Sequence, residues 1–181
     1  MKWVVAAVVI CLAAGIAVAQ QENPYSIIDE WPQAWRLKAG YADLGDFDDA
    51  AAIAVEFNAP EWTLTFGWAD MSSLHLRSGA KEYKFYNGDY WFVEATYTYR
   101  PPSNPLLYFG IGPGWYDVDG DFREVATGAW SSPDDDCIGG HVLVGVESAD
   151  RRWFGEIEWV FGTDHWDWDT DGVRAFVGFR F

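Results

Sequence analysis

The chain has 181 residues and a formal net charge of −16 at pH 7; half its residues are hydrophobic and 18% aromatic, with 12 tryptophans. Such acidity opposes binding to nucleic acid or to an anionic surface through the overall field, and so much apolar and aromatic material excludes a disordered acidic chain. Beyond the N-terminal leader no stretch approaches 18 uninterrupted apolar residues, which excludes a bilayer-spanning helix.

The leader is residues 1–19. Lys2, an apolar run from Trp3 to about Ala14 and the small-residue site Ala17-Val18-Ala19 read as a cleaved secretory signal peptide. Cys11 follows Ile10 inside the apolar run, where a lipidated cysteine would need a small neighbour. Removing the leader leaves roughly 160 residues, the size of one domain. It takes Lys2 with it, moving the charge from −16 to −17, and leaves Cys137 as the only thiol, so no internal disulfide can staple the fold.

From Trp35 onward apolar and polar residues alternate, the pattern of half-buried strands. Trp35, Leu37, Ala39 and Tyr41 oppose Arg36 and Lys38; Ala51, Ile53, Val55 and Phe57 oppose Glu56; Trp62, Leu64, Phe66 and Trp68 oppose Thr63 and Thr65. The pattern returns at residues 91–100 with Glu94 and Arg100 on the polar side, at 107–115, at 138–147 with His141 and Glu147, at 153–161 with Glu156 and Glu158, and at 172–181 with Arg174 and Arg180. That makes eight strands. Residues 70–89 admit a long hairpin turning at Ser78-Gly79 or a shorter pair with a loop around Asn87-Gly88.

The connections alternate as regularly. "NAPE", "PPSNP" and "SADRR" are short, whereas "LGDFDD", residues 70–89, "VDGDFREVATGAWSSPDDD" and "TDHWDWDTDG" are long and acidic. Tight turns at one end and longer loops at the other mark a transmembrane β-barrel. An eight-stranded barrel has an interior barely wide enough for side chains, and the many aromatics of the apolar face would not fit inside it. The apolar face therefore points to lipid, with aromatics near the strand ends and Val55, Leu64, Val93, Ile111, Val144 and Val177 between them. The interior collects Arg36, Lys38, Arg100, Arg174 and Arg180 with Glu56, Glu94, Glu147, Glu156 and Glu158, joined by His141. Five charges of each sign form a balanced network, as buried charge requires.

The last residues, "GVRAFVGFRF", set Val173, Ala175, Val177, Phe179 and Phe181 on one face and end on phenylalanine. This ending resembles the signal by which bacterial outer membrane barrels are recognised by their assembly machinery. With "LLYFGIGPGWYDVDG" it resembles the small, eight-stranded outer membrane β-barrel families, OmpA-like and OmpX-like. The expected fold is all-β: an eight-stranded, antiparallel, up-and-down transmembrane β-barrel preceded by a cleaved signal peptide. The expected order is signal peptide 1–19, periplasmic segment 20–34 and outer membrane barrel 35–181.

Catalytic and metal motifs are incomplete. Asp167, Asp169, Asp171 and Gly172 make the front half of a calcium loop, but the closing acid falls on Gly178. Asp117, Asp119, Asp121 and Asp134 to Asp136 read as solvated loop acids. His165, near the outer rim, has no serine neighbour, so the His-Ser pairing of lipid A deacylases is missing. Gly110, Gly112 and Gly114 lie on one strand face, where they leave room for bulky inward side chains, and Pro113 predicts a bulge or the rim.

The reading is a barrel with a side-chain-filled lumen in the outer membrane of a diderm bacterium, structural or surface-interacting through acidic loops. It is expected to be a monomer without catalytic residues, cofactor or nucleic-acid partner. Its expected partners are outer membrane lipid, lipopolysaccharide, the barrel assembly machinery and weakly bound divalent cations at the loops. A narrow ion or solute channel, a lipid A-modifying enzyme and a soluble ligand-binding barrel are the alternatives.

Overall fold

A computed structural model of the chain describes residues 34–46, 49–59, 61–72, 74–78, 81–132, 134–165 and 168–181. The expected signal peptide lies outside the described residues, as does the expected periplasmic segment up to its last residue. That residue, Ala34, already belongs to the barrel.

The wall consists of β1 (Ala34–Ala42), β2 (Ala50–Asn58), β3 (Trp62–Asp70), β4 (Lys81–Tyr99), β5 (Leu107–Glu124), β6 (Asp134–Glu147), β7 (Trp153–Phe161) and β8 (Gly172–Arg180). Each strand pairs antiparallel with its successor, and β8 pairs with β1, Arg36 lying opposite Arg180. The ring is therefore closed. Closure leaves no wall strand with an open edge in hydrocarbon, where an unbonded backbone group costs several kcal/mol.

The alternation seen in the sequence sorts residues across this wall. On β1, Trp35, Leu37 and Tyr41 are about half exposed, whereas Arg36 and Lys38 are buried in the lumen. Trp35, Phe57, Trp62, Trp153 and Phe179 form an aromatic girdle at the tight-turn end, with Trp35 and Phe57 at 5.3 Å and Trp153 and Phe179 at 5.0 Å. A second girdle, with Trp68 and Trp91 side by side across β3 and β4, lies near the other end, and Ile53, Val55, Leu64, Ile111 and Val177 fill the band between. This is the outer surface of a membrane barrel.

Of the two layouts open for residues 70–89, the described residues take the long hairpin: a short strand, His75–Ser78, pairs with Lys81–Lys84 at the start of β4. Other expectations change. The third acidic connection is mostly wall, not loop. β5 runs on to Glu124 and β6 starts at Asp134, so Asp117, Asp119, Asp121 and Asp134 to Asp136 are strand residues. Long hairpins continue the ladder because backbone hydrogen bonding favours an extended chain whatever the charge of its side chains. Pro113 is neither at the rim nor at a bulge. It faces out mid-strand, opposite Gly140, where the β4–β5 ladder passes without a shift from Glu94/Gly114 to Tyr97/Ile111, and the bulge lies at Phe85/Asn87 instead. Ala175 keeps its outward register but is buried, because its small side chain sits between its cross-strand partners Tyr41 and Ile157.

Candidate functional site

The lumen holds every residue expected in the charge network, arranged in tiers. Near the tight turns Glu147 accepts hydrogen bonds from Arg100 at 3.0 Å and Arg180 at 2.7 Å. In the middle the Arg36 guanidinium donates to Glu56 at 2.7 Å and to Glu156 at 3.1 Å, while Lys38 donates to Glu156 at 2.9 Å and pairs with Glu56 at 2.6 Å. Above them Arg174 binds Glu94 and also reaches Glu158 at 3.1 Å. Bases and acids alternate in space, so each buried charge meets an opposite one.

Aromatic rings complete the filling. Arg36 lies 4.2 Å from the Phe154 centroid, Lys38 4.5 Å from Phe176, and Arg174 4.1 Å from Phe92. Tyr108 and Tyr116 donate their hydroxyls to Glu156 and Glu94 at 2.7 and 2.9 Å. Inward glycines make room for these rings: a Cβ on Gly67 would meet Phe92 at 2.0 Å, and one on Gly178 would meet Phe154 at 2.2 Å. The same holds for Gly114 and Tyr116, as the sequence predicts, whereas Gly112 serves a close backbone approach, its Cβ falling 1.8 Å from the Ala95 carbonyl. Toward the long hairpins Leu44, Met71, Phe85, Tyr90 and Val118 form an apolar cap, in one buried cluster with Tyr116 and Phe176, which reach down among the charge tiers.

One grouping escapes sequence reading. Glu94, His141 and Glu158, from β4, β6 and β7, bring donor atoms within 4.8 Å of one another. An imidazole with two carboxylates is a ligand set for a transition metal. Arg174 already binds both carboxylates, however, and His141 Nε2 shares a 2.8 Å hydrogen bond with Thr96. The guanidinium thus supplies the positive charge that an ion would bring, and a dication there would unbalance the tier. The signal was in the sequence only as three separate inward positions.

Just beyond the girdle at the long-hairpin end the register aligns like charges. Asp70, Asp89, Asp119 and Asp134 are consecutive cross-strand neighbours on β3, β4, β5 and β6, and Asp117 faces Asp136 one step below. The indole nitrogens of Trp68 and Trp115 donate to Asp89 and Asp136, both at 2.7 Å, tying the girdle to this row. Of the fourth-loop acids, Asp171 accepts from the Thr163 backbone at 2.8 Å. Asp164 and Asp169 are backbone partners in a two-residue hairpin that also pairs His165 with Trp168, and Asp167 lies outside the described residues. The terminal residues Val173, Val177 and Phe181 face outward.

The N-terminal β-barrel domain of Pseudomonas aeruginosa OprF superposes on this architecture with a TM-score of 0.54 at 11% identity, covering 84% of this chain and all of that domain. The chain has the fold of the small eight-stranded outer membrane β-barrels. Neisserial surface protein A (12% identity, TM-score 0.47, 81% of this chain and 93% of that one) and Ail, the attachment invasion locus protein of Yersinia pestis (13% identity, TM-score 0.47, 83% and 100%), are also similar. The sequence matches no protein-family model and no curated protein.

Proposed function

We propose that this protein is an outer membrane barrel of a diderm bacterium that acts as a structural or surface-interaction protein through its acidic outer end, without conducting solutes. The observation that carries the reading is the lumen itself: three tiers of ion pairs, packed against aromatic rings and closed by an apolar cap, fill the width of the barrel. An ion crossing it would have to break buried pairs, and each partner left alone costs about 3 to 5 kcal/mol. The apolar outer belt and the OprF-like fold support placement in the outer membrane, with the tight turns periplasmic and the long hairpins outside.

In this setting the aspartate row meets the anionic headgroups of the outer leaflet. Carboxylates and lipid phosphates repel unless divalent cations are shared between their oxygens, and calcium tolerates such irregular ligation. Insertion through the barrel assembly machinery, with the Phe181 ending as its recognition element, belongs to the same reading. Purified protein reconstituted in a planar bilayer tests it: we expect baseline conductance, and steady single-channel steps would replace this reading with the channel.

A further inference from the structure

Above the aspartate row the register builds a second transverse row of opposite character. His75, Lys84, Arg123 and Trp130 lie side by side on four neighbouring strands: His75–Ser78, β4, β5 and the short strand Trp130–Ser131. Lys84 and Arg123 are direct cross-strand partners, and like charges so placed repel. The chain has 28 acids to relieve them. Nevertheless, among the described residues no carboxylate forms an ion pair with either.

The nearby acids Glu82, Glu124 and Asp121 lie beyond ion-pair distance of both cations. Glu82 lies 3.2 Å from His75 Nδ1, Glu124 accepts from Thr127 at 2.5 Å, and Asp121 accepts from Ser132. Lys84 sits 5.4 Å from the Tyr86 ring, while Arg123 donates to the Gly128 carbonyl at 3.2 Å and lies 5.8 Å from the Trp130 ring. The two rings touch at 4.9 Å and remain 41% and 59% exposed.

We propose that the face made by Lys84, Arg123, Tyr86 and Trp130 binds a linear polysaccharide carrying sulfate, phosphate or carboxylate groups. The proposal rests on the reading that this end faces outside. An ammonium and a guanidinium left without a carboxylate call for an anion, to which both form charge-assisted hydrogen bonds. Two half-exposed rings beside them offer flat apolar surfaces to the C–H faces of sugars. Neighbouring strands lie about 4.8 Å apart, so the two cations stand side by side on adjacent strands.

Height excludes the lipid headgroups as the source of the anion. Lys84 lies seven residues along β4 from Trp91 of the girdle, roughly 23 Å of strand, or about 18 Å along the membrane normal at a tilt near 40°. The headgroup layer is only roughly 5 to 8 Å deep on each side.

The protein in nanodiscs of neutral phosphatidylcholine, titrated with fluorescent dextran sulfate, tests the proposal, with heat-dependent gel mobility verifying the fold of every variant. We expect salt-sensitive binding, an affinity about ten-fold lower in Lys84→Gln/Arg123→Gln, a several-fold loss in Tyr86→Ala/Trp130→Ala, no binding of neutral dextran, and no change in Arg152→Gln at the opposite rim. Absence of binding, unchanged affinity in the folded Lys84→Gln/Arg123→Gln variant, or equal affinity for double-stranded DNA or for anionic lipid vesicles would overturn it. Cell fractionation reads the outer membrane placement separately, so that failure there and failure in nanodiscs are told apart.

Discussion

Arg174 shows what a single buried charge does in this lumen. It binds Glu94 and Glu158 at once and covers the Phe92 ring. Arg174→Ala leaves two carboxylates facing each other without their cation, a loss of about 3 to 5 kcal/mol. Arg174→Glu adds a third acid to the same tier and is expected to abolish folding; denaturant unfolding followed by the heat-modifiable gel shift measures both. Outside the membrane the carboxylates titrate with opposite signs at the two ends. Partial burial and the neighbouring Asp49 push the Asp43 carboxyl up, so ionising it opposes the fold. The stability it contributes is complete below the ordinary carboxylate pKa and is lost as pH rises through the raised value. Asp43→Asn should therefore stabilise the barrel at neutral pH, with the advantage vanishing on acidification. At the tight turn Ser148 and the Arg152 backbone hold Asp150 below its usual range, so its contribution is present at neutral pH and is lost as pH falls through the lowered value. Asp150→Asn should remove that acid-side loss, read from unfolding midpoints across pH.

At the scale of strands, contact between backbones sets what is tolerated. Gly112 approaches Ala95 so closely that a methyl group would collide with its carbonyl, whereas a Cβ at Gly162, whose φ is 73°, meets nothing within 4 Å. Gly112→Ala should thus disturb the β4–β5 seam and lower the yield of the heat-modifiable form. Gly162→Ala should cost only the modest strain of a left-handed residue, about 1 to 2 kcal/mol. β8 closes the ring against β1 and is followed by the exposed Phe181, whose backbone nitrogen donates to the Trp35 carbonyl at 3.1 Å. Deleting Phe181 should reduce outer membrane levels without unfolding barrels already inserted; equal levels of the truncated and full-length chains by fractionation would remove the assembly role from this residue.

For the whole molecule the decisive property is charge segregation: a balanced lumen, an aspartate row just beyond the Trp68 and Trp91 girdle and a cationic row farther along the same hairpins. The repulsion along the aspartate row is relieved either by general screening or by bridging ions. Calcium in the millimolar range should raise the unfolding temperature in detergent with lipopolysaccharide more than sodium chloride of matched ionic strength does. Asn at Asp70, Asp89 and Asp119 should erase the difference, and equal shifts from both salts would assign the row to ordinary screening.

Parity along the chain settles which side of the wall the residues of a strand take. Side-chain direction in a strand alternates strictly, so Arg36, Lys38, Glu56 and Arg174 could be placed inside, and Trp35 and Val55 outside, from parity alone. Loop lengths likewise told the two ends apart. What meets what across strands depends on the closed barrel. The stagger that closes eight strands into a ring sets the register, and no local pattern encodes it. Register brings Glu94, His141 and Glu158 together, aligns four aspartates above the girdle and Lys84 with Arg123 above those, and sets Gly67 beside Phe92. The extension of β5 through Asp117, Asp119 and Asp121 was hidden for the same reason: their acidity reads as loop, while the backbone ladder that holds them as strand depends on partners that closure supplies.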